Sequence, residues 1–475
     1  MAGAEERVLL IDFGSTFTKV TAVETGKPRL LGTAQAPTTV AEGIMVGLRQ
    51  ALAVLEARTG LRPGDFATRL AASSAAGGLR MVAVGLVPEL TVEAARRAAL
   101  GAGAKLLRGF AYELTPDDLS QIEALDPDLL LLAGGTDGGN REVILHNARV
   151  LAASKLRTPV IVAGNRSAAP EVERILAEGG KEVRRTENVM PELDQINPEP
   201  ARQAIRTLFF ERITRAKGLE VAQEFTGGIV MPTPAAVLQA AELLARGVPG
   251  ESGWGELLVV DVGGATTDIH SLAKGEPSKP NVAWKGLPEP FAKRTVEGDL
   301  GVRVSALAAV ETVGEDRLRR LLGDPAAPVR ERAEALARAT GQLPETREGR
   351  AFDQALARGC VEVATERHAG RLEQLFTPFG VSYLQKGKDL TRVSAVIGTG
   401  GPVVRAENPT WVLEGVLFSA AAPDVLKPEK PAFYLDRQYV LAALGLLAEV
   451  DRGAALRLMK QTLVPLKGEE SHACT

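Results

Sequence analysis

Short, wholly apolar runs alternate with stretches of helical spacing along this chain. "ERVLLIDFGSTFTKVTAVE" reads as a strand, a tight turn and a second strand, because apolar residues flank a glycine-centred break. "RLLGTAQAP" predicts a third strand, residues 43–58 an amphipathic helix, and "TRLAASS" another strand. Regular alternation follows. Helical "TVEAARRAALGAG" leads to "KLLRGFAYE", "DPDLLLLAGGTDGG" runs into helical "REVILHNARVLAAS", and "TPVIVAGN" into "PEVERILAEGG". Strands without a polar face, separated by helices, predict a parallel sheet covered on both sides. A helix is expected over 199–217, a second hairpin over 256–273, and a helix-rich stretch to about Phe376. A last apolar strand, "RVSAVIGTGG", precedes the proline-rich connector "PDVLKPEKP" and helical "QYVLAALGLLAEV".

Composition narrows the partners. The 475 residues suffice for two or three domains, and 56 basic against 59 acidic side chains leave a net charge of −3. That balance is no footprint for nucleic acid or an anionic membrane. With two cysteines, Cys360 and Cys474, and no C-x-x-C, neither a disulfide framework nor a zinc ribbon is expected. The apolar runs are shorter than the roughly 20 residues of a membrane span, "MAGAEERVLL" does not read as a secretory leader, and a reducing cytoplasm is the expected compartment.

The candidate chemistry lies in a repetition. Residues 10–19 read "LIDFGSTFTK" and residues 259–268 read "VVDVGGATTD": an apolar strand ending in Asp-x-Gly, then small and hydroxylated residues. Gly14, Gly263 and Gly264 allow close backbone approach to an anion, and Ser15, Thr16, Thr266 and Thr267 add hydroxyl donors. Asp12 and Asp261 would repel a phosphate unless a hard cation lay between, which suits Mg²⁺. Either turn alone is equally consistent with a plain strand connection. A third glycine turn, "AVIGTGGPVV", follows with Gly398, Gly400 and Gly401. Lys19 is either a phosphate contact or an exposed strand lysine. Glu297 and Asp299 of "TVEGDLGVR" either reach a cleft or cap the next helix. "AGGTDGG" ends a strand and opens a helix, which fits an anion site or a tight loop capped by Asp137.

In this order, "DFGSTFTK", "DVGGATTD" and "IGTGGPV" resemble the two phosphate motifs and the adenosine motif of the actin-like ATPase superfamily, which includes sugar kinases and chaperone ATPases. The resemblance implies an α/β, duplicated actin-like (ribonuclease H-like) fold, with two lobes around a cleft for ATP or ADP and Mg²⁺. Asp12 and Asp261 would hold the metal, Asp268 would be a further catalytic acid, and Ser15, Thr16 and Thr266 would touch phosphate. Many members place an acidic residue at the start of the helix preceding the second hairpin; this chain has Met231 there, in "MPTPAAVLQA". The implied division is an N-terminal lobe over 1–250 with a Rossmann-like insertion at about 90–190, a second lobe over 251–425, and C-terminal helices over 426–475 packing back on the first lobe.

A narrower resemblance, over "ASSAAGGLRMVAVGLVPELT", "DPDLLLLAGGTDGGNREVILHNA", "RTVEGDLGVR" and "VIGTGGPVV", is to the MutL or GlmL family of accessory proteins encoded beside glutamate mutase and related cobalamin-dependent mutases. It implies an ATP-dependent, chaperone-like reactivating factor with weak or partner-dependent ATPase activity, whose partners are cobalamin-dependent mutase subunits. "DIHSLA" nearly matches the cobalamin-carrier motif D-x-H-x-x-G, but Ala273 stands where glycine belongs, so His270 is expected to be an ordinary strand residue and the chain to hold no cobalamin. A small-molecule kinase with Asp268, Glu297 or Asp299 as base, or a nucleotide-gated filament or scaffold protein, are the rival readings.

Overall fold

Val8–Phe13 is apolar except at Asp12 and is buried throughout, so it forms an interior strand, and the tertiary structure is built outward from it. The computed structural model describes residues 6–466 apart from 15, 40–42, 75–78, 217–224, 227–228, 288 and 378–379. It divides into two units: Arg7–Ala22 with Gly32–Ala236, and Val23–Leu31 with the residues from Val237 onward.

The first unit contains strands β1 (Arg7–Phe13), β2 (Phe17–Glu24), β3 (Arg29–Pro37) and β4 (Thr68–Ser73), with helix α1 (Ile44–Thr59) between β3 and β4. The outer ends of β2 and β3 are counted with the second unit. A second, inserted sheet follows: β5 (Arg80–Gly85), α2 (Glu93–Gly101), β6 (Lys105–Ala111), α3 (Pro116–Leu125), β7 (Leu129–Leu132), α4 (Glu142–Ala153), β8 (Val160–Val162), α5 (Ala169–Glu178) and β9 (Val183–Arg185). Helix α6 (Glu199–Ala216) and strand β10 (Ile229–Pro232) return to the first sheet, and α7 (Thr233–Arg246) leaves it. The first sheet runs β10-β4-β1-β2-β3, with β4 parallel to β1 and β10. The inserted sheet is wholly parallel in the order β6-β5-β7-β8-β9, a doubly wound arrangement. It begins at Arg80, about ten residues before the expected insertion, because "RMVAVG" is its first strand. Ile122, Ile144, Leu151, Val172 and Leu176 from α3, α4 and α5 pack on Val82, Leu130 and Val160.

The second unit adds two short strands, β11 (Gly247–Val248) and β12 (Glu251–Ser252), then β13 (Leu257–Val262), β14 (Thr267–Leu272), β15 (Val282–Trp284) and β16 (Ala292–Glu297). Four helices follow: α8 (Ala306–Val313), α9 (Glu315–Leu322), α10 (Val329–Arg338) and α11 (Arg347–His368). Then come β17 (Arg371–Thr377), β18 (Gly380–Lys386), β19 (Ala395–Thr399), α12 (Gly401–Val404), α13 (Pro409–Leu413), β20 (Ala432–Leu435), α14 (Leu441–Leu447), α15 (Arg452–Thr462) and β21 (Val464–Leu466). The main sheet runs β16-β14-β13-β19-β20-β21, with β13, β19 and β20 parallel. Counted from its own hairpin, each main sheet reads 3-2-1-4-5, with β21 added as a sixth strand at the edge of the second, so the fold is duplicated. In the first unit the inserted sheet lies between the fourth and fifth strands.

Two expectations are corrected. The C-terminal stretch is not a helical layer belonging to the first lobe: β20 and β21 hydrogen-bond into the second sheet, and the chain from Val237 onward belongs to the second unit. The helix-rich stretch ends at His368, and Arg371–Thr377 is a strand of a small sheet ordered β15-β18-β17. Among the described residues, no helix is long and apolar enough to cross a membrane.

Candidate functional site

In the first unit, the β1–β2 turn is closed by Gly14, whose N–H donates to Phe17 O at 3.1 Å. A side chain there would put its Cβ 2.5 Å from that oxygen, so glycine is required by the close approach. Thr38, at the end of β3, straps the turn: its N–H donates to Thr16 O at 2.9 Å and its hydroxyl to Gly14 O at 2.8 Å. Thr16 is exposed, and Ser15 lies outside the described residues. Asp12, at the carboxyl end of β1, is 5% exposed. Its Oδ1 accepts from Thr233 Oγ1 at 2.6 Å and its Oδ2 lies 3.3 Å from Lys19 Nζ. Lys19 thus meets the carboxylate itself. Met231 is buried inside β10, and the next helix starts two residues later at Thr233.

In the second unit, the β13–β14 turn has the same closure, Gly263 N–H donating to Thr266 O at 2.8 Å. Antiparallel pairing sets Asp261 opposite Asp268 on one face of the sheet. Like charges so placed repel, and Arg294, on the neighbouring strand β16, relieves this by donating to Asp268 Oδ2 at 3.0 Å. Thr266 is half-buried at the turn, whereas Thr267 is wholly buried and donates its hydroxyl to Leu300 O at 2.6 Å. That bond commits Thr267 to the core, not to the turn. Glu297 and Asp299 share Arg367, at 2.7 and 2.8 Å, and Asp299 also accepts from Thr312. Burial pushes the Glu297 carboxyl up, opposed by Arg367, while the hydrogen bond from Arg367 holds Asp299 below the usual carboxylate range.

The third turn is brought beside the second by parallel pairing of β13 with β19, which sets Val260 against Gly398 and Asp261 against Thr399. Gly400 has φ +92°, and a Cβ there would lie 2.2 Å from Val262 O. Gly398 is a packing glycine, facing Leu413 and Val403, and Gly401 lies against the Arg405 guanidinium. Behind the turns, Arg303 clasps Asp353 with both nitrogens, one at 3.0 Å, while its backbone N–H donates to Gly264 O.

These partners (Thr38, Thr233, Arg294, Arg303 and Arg367) escaped sequence reading because strand pairing, not spacing, brings them in. Thr233 alone had a signal, a hydroxyl between two prolines where a strand meets a helix. The "AGGTDGG" loop is locked from within. Buried Asn165 accepts from Gly138 N–H and donates to Gly139 and Asn140 carbonyls, and Asp137 accepts from Arg166 N–H and does not cap α4. His270 is a strand residue of β14, and Cys360 is buried in α11, where burial pushes its thiol up to about 12.

Asp12 and Asp261 are oxygen donors at strand ends beside glycine turns, a donor chemistry that fits a hard, partly hydrated cation such as Mg²⁺. Among the described residues, no group of three or more His, Cys, Asp or Glu side chains is placed to hold a metal unaided.

Comparison with known proteins places the chain. Its residues 8–463 match the family model described as MutL protein. It is 50% identical over 456 residues to Protein MutL of Clostridium tetanomorphum, covering 96% of this chain and 99% of that one. Among solved structures, nucleotide-free acetone carboxylase aligns over 94% of this chain and 70% of its own, with 13% identity and a TM-score of 0.37. Nucleotide-free diol dehydratase-reactivating factor aligns over 94% and 99%, with 11% identity and a TM-score of 0.30. Scores at this level carry no functional weight. The family match and the 50% identity across nearly the whole chain do: the chain belongs to the MutL protein family.

Proposed function

We propose that this chain is an accessory factor that uses ATP and Mg²⁺ to reactivate a cobalamin-dependent mutase of the glutamate mutase type, in the cytoplasm and without holding cobalamin itself. The observation that carries the reading is the twice-built turn, each copy with an Asp at a strand end and a glycine whose N–H is already turned back on the loop. Asp12 and Asp261 are the residues that would hold Mg²⁺, which supplies neutralisation of phosphate charge. Thr16 and Thr266 offer hydroxyls to phosphate, and the Gly400–Gly401 turn offers flat backbone to the nucleoside.

The remaining residues favour a switch over a kinase. Met231 cannot take a proton, and the Thr233 proton is committed to Asp12. Asp268 is paired with Arg294, and Glu297 and Asp299 with Arg367, so each acid that a kinase would need as base is already in an ion pair. Slow turnover suits a protein whose nucleotide state sets its affinity for a partner, provided the two states bind that partner differently.

The test is reactivation of inactivated cobalamin-dependent glutamate mutase by the full chain with MgATP. Recovery of mutase activity is expected with ATP, and loss of recovery in Asp12→Asn and Asp261→Asn. Equal mutase binding by the ATP- and ADP-loaded chain, with no recovery, would sink the reading.

A further inference from the structure

Both oxygens of Asp12 are engaged within the first unit, by partners of different kinds. Thr233 reaches Oδ1 at 2.6 Å from the first turn of α7, with Pro232 before it and Pro234 after it. Two prolines restrict the local backbone, and β10 is fixed through β4 to β1, the strand that carries Asp12. The hydroxyl therefore approaches from a fixed point, at the short distance of a charge-assisted bond. Lys19 reaches Oδ2 at 3.3 Å on a flexible stem from β2, and its side chain is 21% exposed. An ammonium is a compact charge with little directional demand, and a part-exposed ion pair of this kind exchanges readily.

The geometry points to a division of labour: Thr233 is a positioning residue that fixes the Asp12 rotamer and occupies Oδ1, and Lys19 is a resident counter-ion that yields Oδ2 to a divalent cation. The inference rests on the nucleotide-binding reading above and adds the regulation of that same site. A carboxylate buried this deeply needs a cation when nothing is bound. Lys19 supplies it at rest. Once displaced, its ammonium remains at the turn, where a phosphate brought with the cation would be its next partner. The protein would then bind a divalent cation more tightly together with phosphate than alone, because the phosphate offers the displaced ammonium a new counter-charge.

Mn²⁺ binding by electron paramagnetic resonance tests this on the full chain, with and without ATP, for wild type and Lys19→Gln, Thr233→Val and Thr233→Ser. Without nucleotide, Lys19→Gln is expected to bind Mn²⁺ about tenfold more tightly than wild type, its competitor being gone. With ATP, Thr233→Val is expected to lose about tenfold in Mn²⁺ affinity, the scale of one hydrogen bond to a charged group, and Thr233→Ser to stay close to wild type. ATP affinity in EDTA should be alike in wild type and both Thr233 variants. Lys19→Gln no tighter than wild type, or Thr233→Ser as weak as Thr233→Val, overturns the inference alone. Wild type binding no ATP under any condition overturns both it and the nucleotide reading.

Discussion

At single residues, the decisive quantities are steric room and unpaired charge. Gly400 combines φ +92° with a Cβ position 2.2 Å from Val262 O, a backbone atom that cannot swing aside. Gly400→Ala should therefore cost about 2–5 kcal/mol, left-handed strain plus overpacking, read from urea unfolding; a loss under about 1 kcal/mol would mean the turn relaxes freely. Arg303→Met leaves the half-buried Asp353 without its ion-pair partner and should cost about 1–3 kcal/mol, whereas Arg303→Met with Asp353→Leu should recover most of it. His270 is wholly buried, neither ring nitrogen has a hydrogen-bond partner among the described residues, and burial, followed by the Arg294 charge, drives its pKa well below the usual value. It is thus neutral in the fold, while the unfolded chain takes up a proton below about pH 6.5. Its contribution is constant above that pH and becomes a loss of up to about 1.4 kcal/mol per pH unit on acidification. Comparing urea midpoints of wild type and His270→Leu from pH 7.5 to 5.5 isolates it: the wild type should fall more steeply, and parallel profiles would refute the assignment.

At the scale of elements, the strand-and-helix order was legible wherever periodicity and burial agree. Wholly apolar β7, and β13, apolar but for Asp261, are interior strands, and "TRLAASS" pairs parallel to β1 as a sheet-forming segment should. The failure at β17 is instructive. Leu372, Leu375 and Phe376 recur at helical spacing among helix-favouring Glu and Gln, yet pairing with β18 draws the segment into a hairpin and leaves Phe376 78% exposed. No local signal announces a distant partner strand. Just before α2, Thr91 accepts hydrogen bonds from the N–H groups of both Leu86 and Val87, closing the turn after β5. Thr91→Val should cost about 1–3 kcal/mol by stranding two donors, Thr91→Ser much less, and thermal unfolding of the pair would show the difference.

For the whole molecule, the duplication was visible in two Asp-x-Gly turns, but the shared 3-2-1-4-5 strand order was not, because the fourth and fifth strands are placed by parallel pairing with partners distant in sequence. The ion pairs that neutralise Asp268, Glu297 and Asp299 were hidden for the same reason: Arg294 and Arg367 sit 26 and about 70 residues away. The proposed function can be tested by asking whether a nucleotide requires both turns, and the distribution of tryptophan makes that measurable. All three tryptophans, Trp254, Trp284 and Trp411, belong to the second unit, so intrinsic fluorescence follows its unfolding. MgATP at about a hundred times its Kd should stabilise that unit by about 2.7 kcal/mol through linkage alone. Asp261→Asn, within the same unit, should abolish the shift. Asp12→Asn lies in the other unit. Loss of the fluorescence-detected shift in Asp12→Asn is therefore expected only if a single nucleotide draws on both turns; a full shift would mean that the second turn binds alone and that Asp12 serves some other end.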